Sequence, residues 1–301
     1  MTQRVKDLLA RAVQRLVEVR DNTAQLDAEV LLRHRLDLSR AELYARLNDE
    51  MDDRTSQEYY LLVERRAQGE PVAYITNTRE FMALDFYVDK RVLVPRPETE
   101  LLVEFAISKL QEKGWLDQEI VLVDVGTGSG IIAVYLAIRF PNLHVYATDI
   151  SDEALEVATI NARRHGVAAR IKLLHGNLIE PLDTKPNIII SNPPYTVISQ
   201  VEPNVARFEP NIALDGGPKG LAIFRELFTQ AKTGLTRPGF IALEIGADQA
   251  NDVQNLSKHF FPDSHVEIHK DYAGLDRVVI IDVAQEITPE ITGTRTGTEN
   301  E

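Results

Sequence analysis

The 301-residue sequence predicts an α/β fold: a mostly parallel sheet of seven strands with covering helices, preceded by a small helical domain. Three observations predict it. From Ile120 onward, short apolar strands alternate with helical segments, the pattern of a helix-covered parallel sheet. The last two apolar runs, "HVEIHKD" and "DRVVIIDVA", have only a turn between them, from Tyr272 to Leu275. Parallel neighbours need a long crossover, so this pair is expected to be antiparallel. Residues 1–75 instead carry apolar side chains at helical spacing, beginning with Val5, Leu8, Leu9, Ala12, Val13 and Leu16.

Within residues 1–75, Asn22 with Gln25, Ser39 with Glu42 and Thr55 with Glu58 each place a capping side chain three before a Glu or Gln. That spacing satisfies free amides at helix starts. Gly69 and Pro71 mark the stop of the helix that begins at Thr55. Four or so helices are expected, acting as a packing module or as the partner-recognition domain. Residues 76–95 form a linker whose stretch "REFMALDFYVDKRVLV" predicts a β-hairpin from Arg79 to Val94. Pro95 and Pro97 stop its pairing, and Thr99 opens a helix to about Lys113. The strands that follow are "IVLVDVG", "HVYATDI", "RIKLLHG", "NIIISN" and "FIALEIG", with helices near 129–140 and 152–165. Five alternating units and a hairpin differ from the two equal halves of a dinucleotide-binding sheet. The tail, residues 285–301, is polar, without an apolar stripe, and is expected to be disordered.

Composition removes several function classes. The net charge is −13, whereas phosphate backbones are gripped by clustered Lys and Arg, so no direct nucleic-acid partner is expected. There is no cysteine, hence no disulfide and no thiolate chemistry. No apolar run approaches the roughly 18 residues that span a bilayer. The N-terminus is charged throughout and lacks a signal core, so a cytoplasmic location off the membrane is expected. Seven scattered histidines show no metal-ligand spacing, and no metal is expected.

The first strand leads into "DVGTGSG". Gly126, Gly128 and Gly130 let the chain turn tightly and let a ligand approach the backbone. The G-x-G-x-G spacing departs from the dinucleotide fingerprint, and no Lys-Ser or Lys-Thr pair awaits a triphosphate. Asp149 ends the second strand, where a carboxylate accepts two ribose hydroxyls. Asp124 either orients the turn through backbone amides or meets a cationic ligand. A ribose-bearing, positively charged ligand without a phosphate requirement matches S-adenosylmethionine. Asn177 and Leu178, after the third strand, are placed to flank an adenine; Leu178 is equally readable as plain core.

"SNPPY" ends the fourth strand, at the edge that faces the ligand crevice of an open α/β sheet. Pro193 and Pro194 fix φ and carry no N–H. The Asn192 side-chain oxygen and the rigid Pro193 carbonyl make two acceptors for a planar –NH2, and the Tyr195 ring is expected to pack on it. Such a nitrogen needs positioning rather than a strong base, because its proton is lost after methyl transfer.

"DVGTGSG", "TDIS", "NPPY" and "FEPNIALDGGPKGL", with "GEPVAYITNTREF" and "VPRPETE", resemble the PrmC/HemK proteins, the N5-glutamine methyltransferases of class-I peptide chain release factors. The resemblance runs from about Gln68 to Val283. It implies a Rossmann-like class I methyltransferase domain over 96–284 and a role in translation termination. It implies that Gly126, Thr127, Gly128, Ser129, Gly130, Asp149, Asn177, Leu178 and Asn192 hold S-adenosylmethionine, leaving S-adenosylhomocysteine as product. Asn192, Pro193, Pro194 and Tyr195 would hold the glutamine amide of a Gly-Gly-Gln motif, with Asn192, Pro193 and Tyr195 catalytic. Arg96 and Thr99 would line the same cleft. Glu209 and Pro210 lie in the loop expected to border the peptide, with Glu209 read as a solvated charge. The implied partner is a release factor, met by a monomer. The alternative is an N6-adenine methyltransferase of DNA or RNA, which shares Asn-Pro-Pro-Tyr but needs a basic face. A scaffold without turnover would need no –NH2 clamp. Two positions depart from the family pattern: Asn77, where Gly is usual and φ > 0 is still tolerated, and Lys219, where an acid is usual.

Overall fold

The computed structural model describes residues 3–284; the expected disorder of 285–301 falls outside them. Strand β1 (Gln3–Arg4) pairs with β2 (Glu50–Met51) beside helices α1 (Val5–Glu18), α2 (Ala24–Leu36), α3 (Arg40–Ala45), α4 (Asp53–Ala67) and α5 (Val72–Thr76). Leu8, Ala12 and Leu16 of α1 meet Ala28, Leu31 and Leu32 of α2 and Tyr59 and Val63 of α4 in one buried cluster. The three- and four-residue spacings put these side chains on single helix faces. Tyr59 remains satisfied there by donating its hydroxyl to the Ala28 carbonyl at 3.0 Å.

Of the three predicted helix starts, Ser39 holds, with a full capping box to Glu42. The other two shift. Helix α2 opens after Thr23, because the Asp21 carboxylate captures the Thr23 N–H and hydroxyl. Helix α4 opens after Asp52, whose carboxylate accepts the Thr55 N–H at 2.9 Å. An acid is both a good cap and a favourable charge at a helix N-terminus. Asn77 ends α5 at φ 52°, the left-handed conformation anticipated for it, and donates its side-chain amide to the Val88 carbonyl.

The hairpin is shorter than predicted: β3 (Arg79–Phe81) and β4 (Leu84–Phe86), turning through Met82 and Ala83, both at positive φ. Residues 87–94 form no ladder. Val88, Val92 and Val94 instead pack against Tyr74 and against Ala154 and Val157, so their β-branched character serves a core contact. Helix α6 (Glu98–Glu112) follows this strap.

The main sheet comprises β5 (Ile120–Val125), β6 (Leu143–Asp149), β7 (Ile171–His175), β8 (Ile188–Ser191), β9 (Gly239–Glu244), β10 (His265–Lys270) and β11 (Asp276–Val283), in the spatial order β10-β11-β9-β8-β5-β6-β7. All pairs are parallel except those of β11 with β9 and β10, as the short terminal turn required. Helices α7 (Ile131–Arg139), α8 (Asp152–Arg164), α9 (Pro203–Phe208), α10 (Ala222–Gly234) and α11 (Ala250–Phe260) complete the chain. Leu122, Ile190, Ala242 and Ile280 bury one face against α6 and α7, while Val123, Ile189, Ile241 and Val279 bury the other against α10 and α11. Alternation puts neighbours on opposite faces, and a sheet covered twice needs apolar side chains on both.

Topology and register together set the functional edge. The chain runs outward from β5 to β7, then returns to β8 on the other side of β5, opening a crevice at the carboxyl ends. Val125 aligns with Thr148 on one side and Ser191 on the other, and Ser191 aligns with Leu243. One residue further, Asp149, Gly126, Asn192 and Glu244 therefore reach the edge at one level. Among the described residues, no helix is long and apolar enough to cross a membrane.

Candidate active site

The glycine turn is held from below. Gly126 and Thr127 donate their N–H groups to the Thr148 carbonyl at 2.9 and 3.0 Å, and Gly128 donates to Asp149 Oδ2 at 2.9 Å. Gly126 and Gly128 have φ of 68° and 55°, and a Cβ on either would meet nothing within 4 Å. Gly130 differs, since a Cβ there would stand 3.0 Å from Ala158 Cβ. Its role is the close approach of α7 to α8, whereas the first two leave space above the turn.

Helix α7 starts at Gly130, which has no side chain to cap it. Asp124 supplies the missing acceptor from β5: its Oδ2 accepts the Ala133 N–H at 3.2 Å and the Thr127 hydroxyl at 2.6 Å. Of the two roles open to Asp124, orientation of the turn is the one observed. Burial pushes its pKa up to about 7, against the pull of those hydrogen bonds. Its Oδ1 has no hydrogen-bond partner among the described residues. Asp149 is pinned from two sides, accepting Gly128 N–H on Oδ2 and Ser151 N–H on Oδ1, both at 2.9 Å. Burial raises its pKa, and the backbone donors of Ser151, Gly128 and Ile150 oppose the rise.

Asn192 leaves β8 beside this turn. Its Nδ2 donates to Thr99 Oγ1 at 3.0 Å, and Thr99 Oγ1 donates to Glu244 Oε2 at 2.7 Å. The Tyr195 hydroxyl donates to the other oxygen, Glu244 Oε1, at 3.0 Å. Glu244 is 1% exposed. Burial raises its pKa, while the Thr99 and Tyr195 hydroxyls and the Arg277 charge pull it down.

These elements enclose a cavity of about 440 Å³, within the roughly 300–1,000 Å³ usual for small-molecule sites. Its wall includes Gly126, Thr127, Gly128, Ser129, Asp149, Asn177 and Leu178 together with Thr99, Asn192, Pro193 and Pro194. Three expected residues stand outside that wall. Gly130 packs against α8. Arg96 turns to Glu209 at 2.6 Å. Tyr195, expected as a stacking ring, packs into the α10–α11 side of the core and spends its hydroxyl on Glu244. Leu178, at φ 52°, touches that core and also lines the cavity. Asn177 faces the cavity while donating Nδ2 to Glu226 at 2.6 Å.

Glu209 is not the solvated loop charge expected of it. It is 5% exposed, and its Oε2 accepts the Val94 N–H at 3.0 Å. The strap residues Arg91, Val92 and Leu93 and the exposed Ile150 and Ile212 also face the cavity, and sequence reading missed them. It missed Glu244 too, although an acid inside the apolar run "FIALEIG" was the available signal.

An S-adenosylmethionine molecule fits the residues present. The turn offers open space where side chains are lacking, a fixed carboxylate ends β6, and no lysine or arginine of the turn demands a phosphate. Among the described residues, no group of three or more His, Asp or Glu side chains is arranged to hold a metal ion.

A family model described as the PrmC N-terminal domain matches residues 7–76, and one described as the methyltransferase small domain matches 99–208. A release factor glutamine methyltransferase of Moorella thermoacetica is 42% identical over 277 residues, covering 91% of this chain and 96% of that protein. Another, of Neisseria gonorrhoeae, is 41% identical over 266 residues, covering 85% of this chain and 92% of that one. The crystal structure of a methyltransferase from Pyrococcus furiosus covers 77% of this chain and 100% of its own, with a TM-score of 0.51 and 20% identity, a likeness of fold. With relatives this similar over nearly their whole length, the chain belongs to the release factor glutamine methyltransferase family and is an enzyme of that class.

Proposed function

We propose that the protein transfers a methyl group from S-adenosylmethionine to the side-chain amide nitrogen, N5, of the glutamine in the Gly-Gly-Gln motif of class-I release factors. The observation that carries this reading is the level alignment of Asn192 with Gly126 and Asp149 across one cavity. An –NH2 acceptor site and a cofactor site share one space there.

In this reading Asp149 accepts the ribose hydroxyls, and Gly126 to Ser129 border the amino-acid part of the cofactor. Leu178 and Ile150 supply apolar surface for the adenine, and Asn177 its edge. S-adenosylmethionine, when bound, supplies an electrophilic methyl carbon on a sulfonium sulfur. Asn192 Oδ1 and the Pro193 carbonyl each accept one N–H of the glutamine amide. That would fix the nitrogen in place and return electron density to it. Such positioning is worth as much as about 7–11 kcal/mol in ideal cases. Transfer would leave the C–S electron pair on the cofactor's sulfur and join the methyl carbon to the nitrogen that Asn192 and Pro193 hold. The nitrogen then releases one proton to water, so no side chain need act as a strong base.

The helical domain, residues 1–75, is proposed to recognise the rest of the release factor. In support, Arg207 of α9 donates to the Gln68 carbonyl at 3.2 Å, tying the loop after Tyr195 to the end of α4. A monomer acting in the cytoplasm, where release factors work, completes the reading.

The test is a labelling assay with methyl-labelled S-adenosylmethionine. Label is expected on the Gly-Gly-Gln glutamine of a release factor and absent from the same factor carrying Gln→Glu there. Label on duplex DNA with none on the factor would replace this reading by adenine methylation.

A further inference from the structure

The geometry points to Thr99 and Glu244 as positioning residues that determine which way round the Asn192 amide faces, so that its oxygen rather than its nitrogen meets the substrate. This rests on the amide-binding reading above and extends it to the two residues hydrogen-bonded in sequence behind the Asn192 amide.

A side-chain amide has nearly the same shape when turned by half a turn, but its two ends have opposite hydrogen-bonding sense. A substrate –NH2 carries only donors. An Asn192 that presented its own –NH2 would set donor against donor and lose the clamp. Something must choose the orientation, and Thr99 alone cannot, because a hydroxyl donates as readily as it accepts. Glu244 breaks the tie. Ionised, its carboxylate accepts only, the form that the two hydroxyl donors and the Arg277 charge favour against burial, and its Oε2 lies 2.7 Å from Thr99 Oγ1, so it takes the single hydroxyl hydrogen. Thr99 then offers Asn192 nothing but lone pairs. The end of Asn192 that satisfies them is Nδ2, at 3.0 Å. Oδ1 is thereby left for the substrate.

The carboxylate is itself held. Its Oε1 receives the Tyr195 hydroxyl at 3.0 Å, so both oxygens are committed. Donors run in one direction from each end, Asn192 to Thr99 to Glu244 and Tyr195 to Glu244. Thr99 and Glu244 are 2% and 1% exposed, so water does not compete for these bonds. Tyr195 therefore braces the acceptor rather than flanking the substrate.

The experiment compares Thr99→Val, Thr99→Ser and Glu244→Gln with the wild type, each assayed for kcat and KM with a release factor and titrated calorimetrically with S-adenosylhomocysteine. Valine keeps the shape and removes the hydroxyl. We expect kcat to fall about 10- to 100-fold in Thr99→Val, with KM and cofactor affinity within about threefold. Thr99→Ser should recover kcat to within about threefold. Glu244→Gln should fall less than Thr99→Val, because its amide oxygen can still take the Thr99 hydrogen while its –NH2 turns to the Tyr195 oxygen. Retained cofactor affinity verifies that each variant is folded. Wild-type kcat in Thr99→Val would overturn the proposal while leaving the glutamine reading intact, as would a Thr99→Ser as impaired as Thr99→Val. A wild type inert toward the release-factor glutamine would overturn both.

Discussion

Glu209 and Arg96 are 113 positions apart in sequence, and Glu209 Oε1 accepts a hydrogen bond from Arg96 Nη2 at 2.6 Å. The other oxygen accepts the Val94 N–H, so one carboxylate joins the strap to the loop after Tyr195. Both segments line the cavity. Glu209→Ala would strand the Val94 N–H away from water and release the Arg96 guanidinium. It is expected to destabilise the protein by about 1–3 kcal/mol, read by urea unfolding, and to raise KM for the release factor. Glu209→Gln, which can still accept from Val94, should lose less. Equal losses in both variants would show that the Val94 bond contributes nothing.

Asn192→Ala removes the side-chain acceptor outright. Turnover is expected to fall about 10²- to 10³-fold, the range for deleting one preorganised hydrogen-bonding group. Cofactor affinity should stay within a few-fold, because the cofactor cradle lies across the cavity on β5 and β6. Near-normal kcat in single-turnover assays would remove Asn192 from the clamp.

Asp149→Ala should act on cofactor binding itself. The carboxylate holds the glycine turn through Gly128 and the start of α8 through Ser151, and in the proposed reading also meets the ribose. Losing charged acceptors of this kind weakens S-adenosylmethionine binding by about 10- to 100-fold. Calorimetry that returns an unchanged affinity would sink the ribose assignment.

Asp124 carries a pH prediction. Its pKa stands near 7 in the folded protein and near 3.8 in the unfolded chain. The folded state thus binds the proton more tightly, and the stabilisation is fully present below pH ~4. It is lost as pH rises towards about 7 and is constant above. The shift corresponds to at most about 4 kcal/mol. Asp124→Asn cannot titrate, so the wild-type melting temperature should fall relative to the variant between pH 4 and 7. A difference that is flat across that window would mean that Asp124 is ionised throughout.

Much of the architecture is legible in the sequence. Alternating strands and helices after Ile120, the antiparallel end and the Asn77 turn are all local: each follows from side-chain period, turn length or tolerated φ within a few residues. The misplacements were local as well. At Asp52 and Asp21, carboxylates outcompeted the capping residues expected nearby. From Tyr87 to Val94, β-branched side chains read as a strand but were used for packing.

By itself the sequence determined the parts: an open glycine turn, an acid at the end of the next strand, and an Asn-Pro-Pro-Tyr turn at the end of a buried one. Those are properties of short segments, legible from backbone freedom and spacing. Only the tertiary structure decided which parts meet. Thr99 reaches Asn192 across 93 positions and Glu244 across 145, and no local pattern encodes such a meeting. Strand order brings β9 beside β8 and register sets Glu244 level with Asn192, while α6 delivers Thr99 to the same point. The fold also turned Tyr195 from the cavity to the carboxylate, because a buried acid needs donors and the nearest hydroxyls were Thr99 and Tyr195.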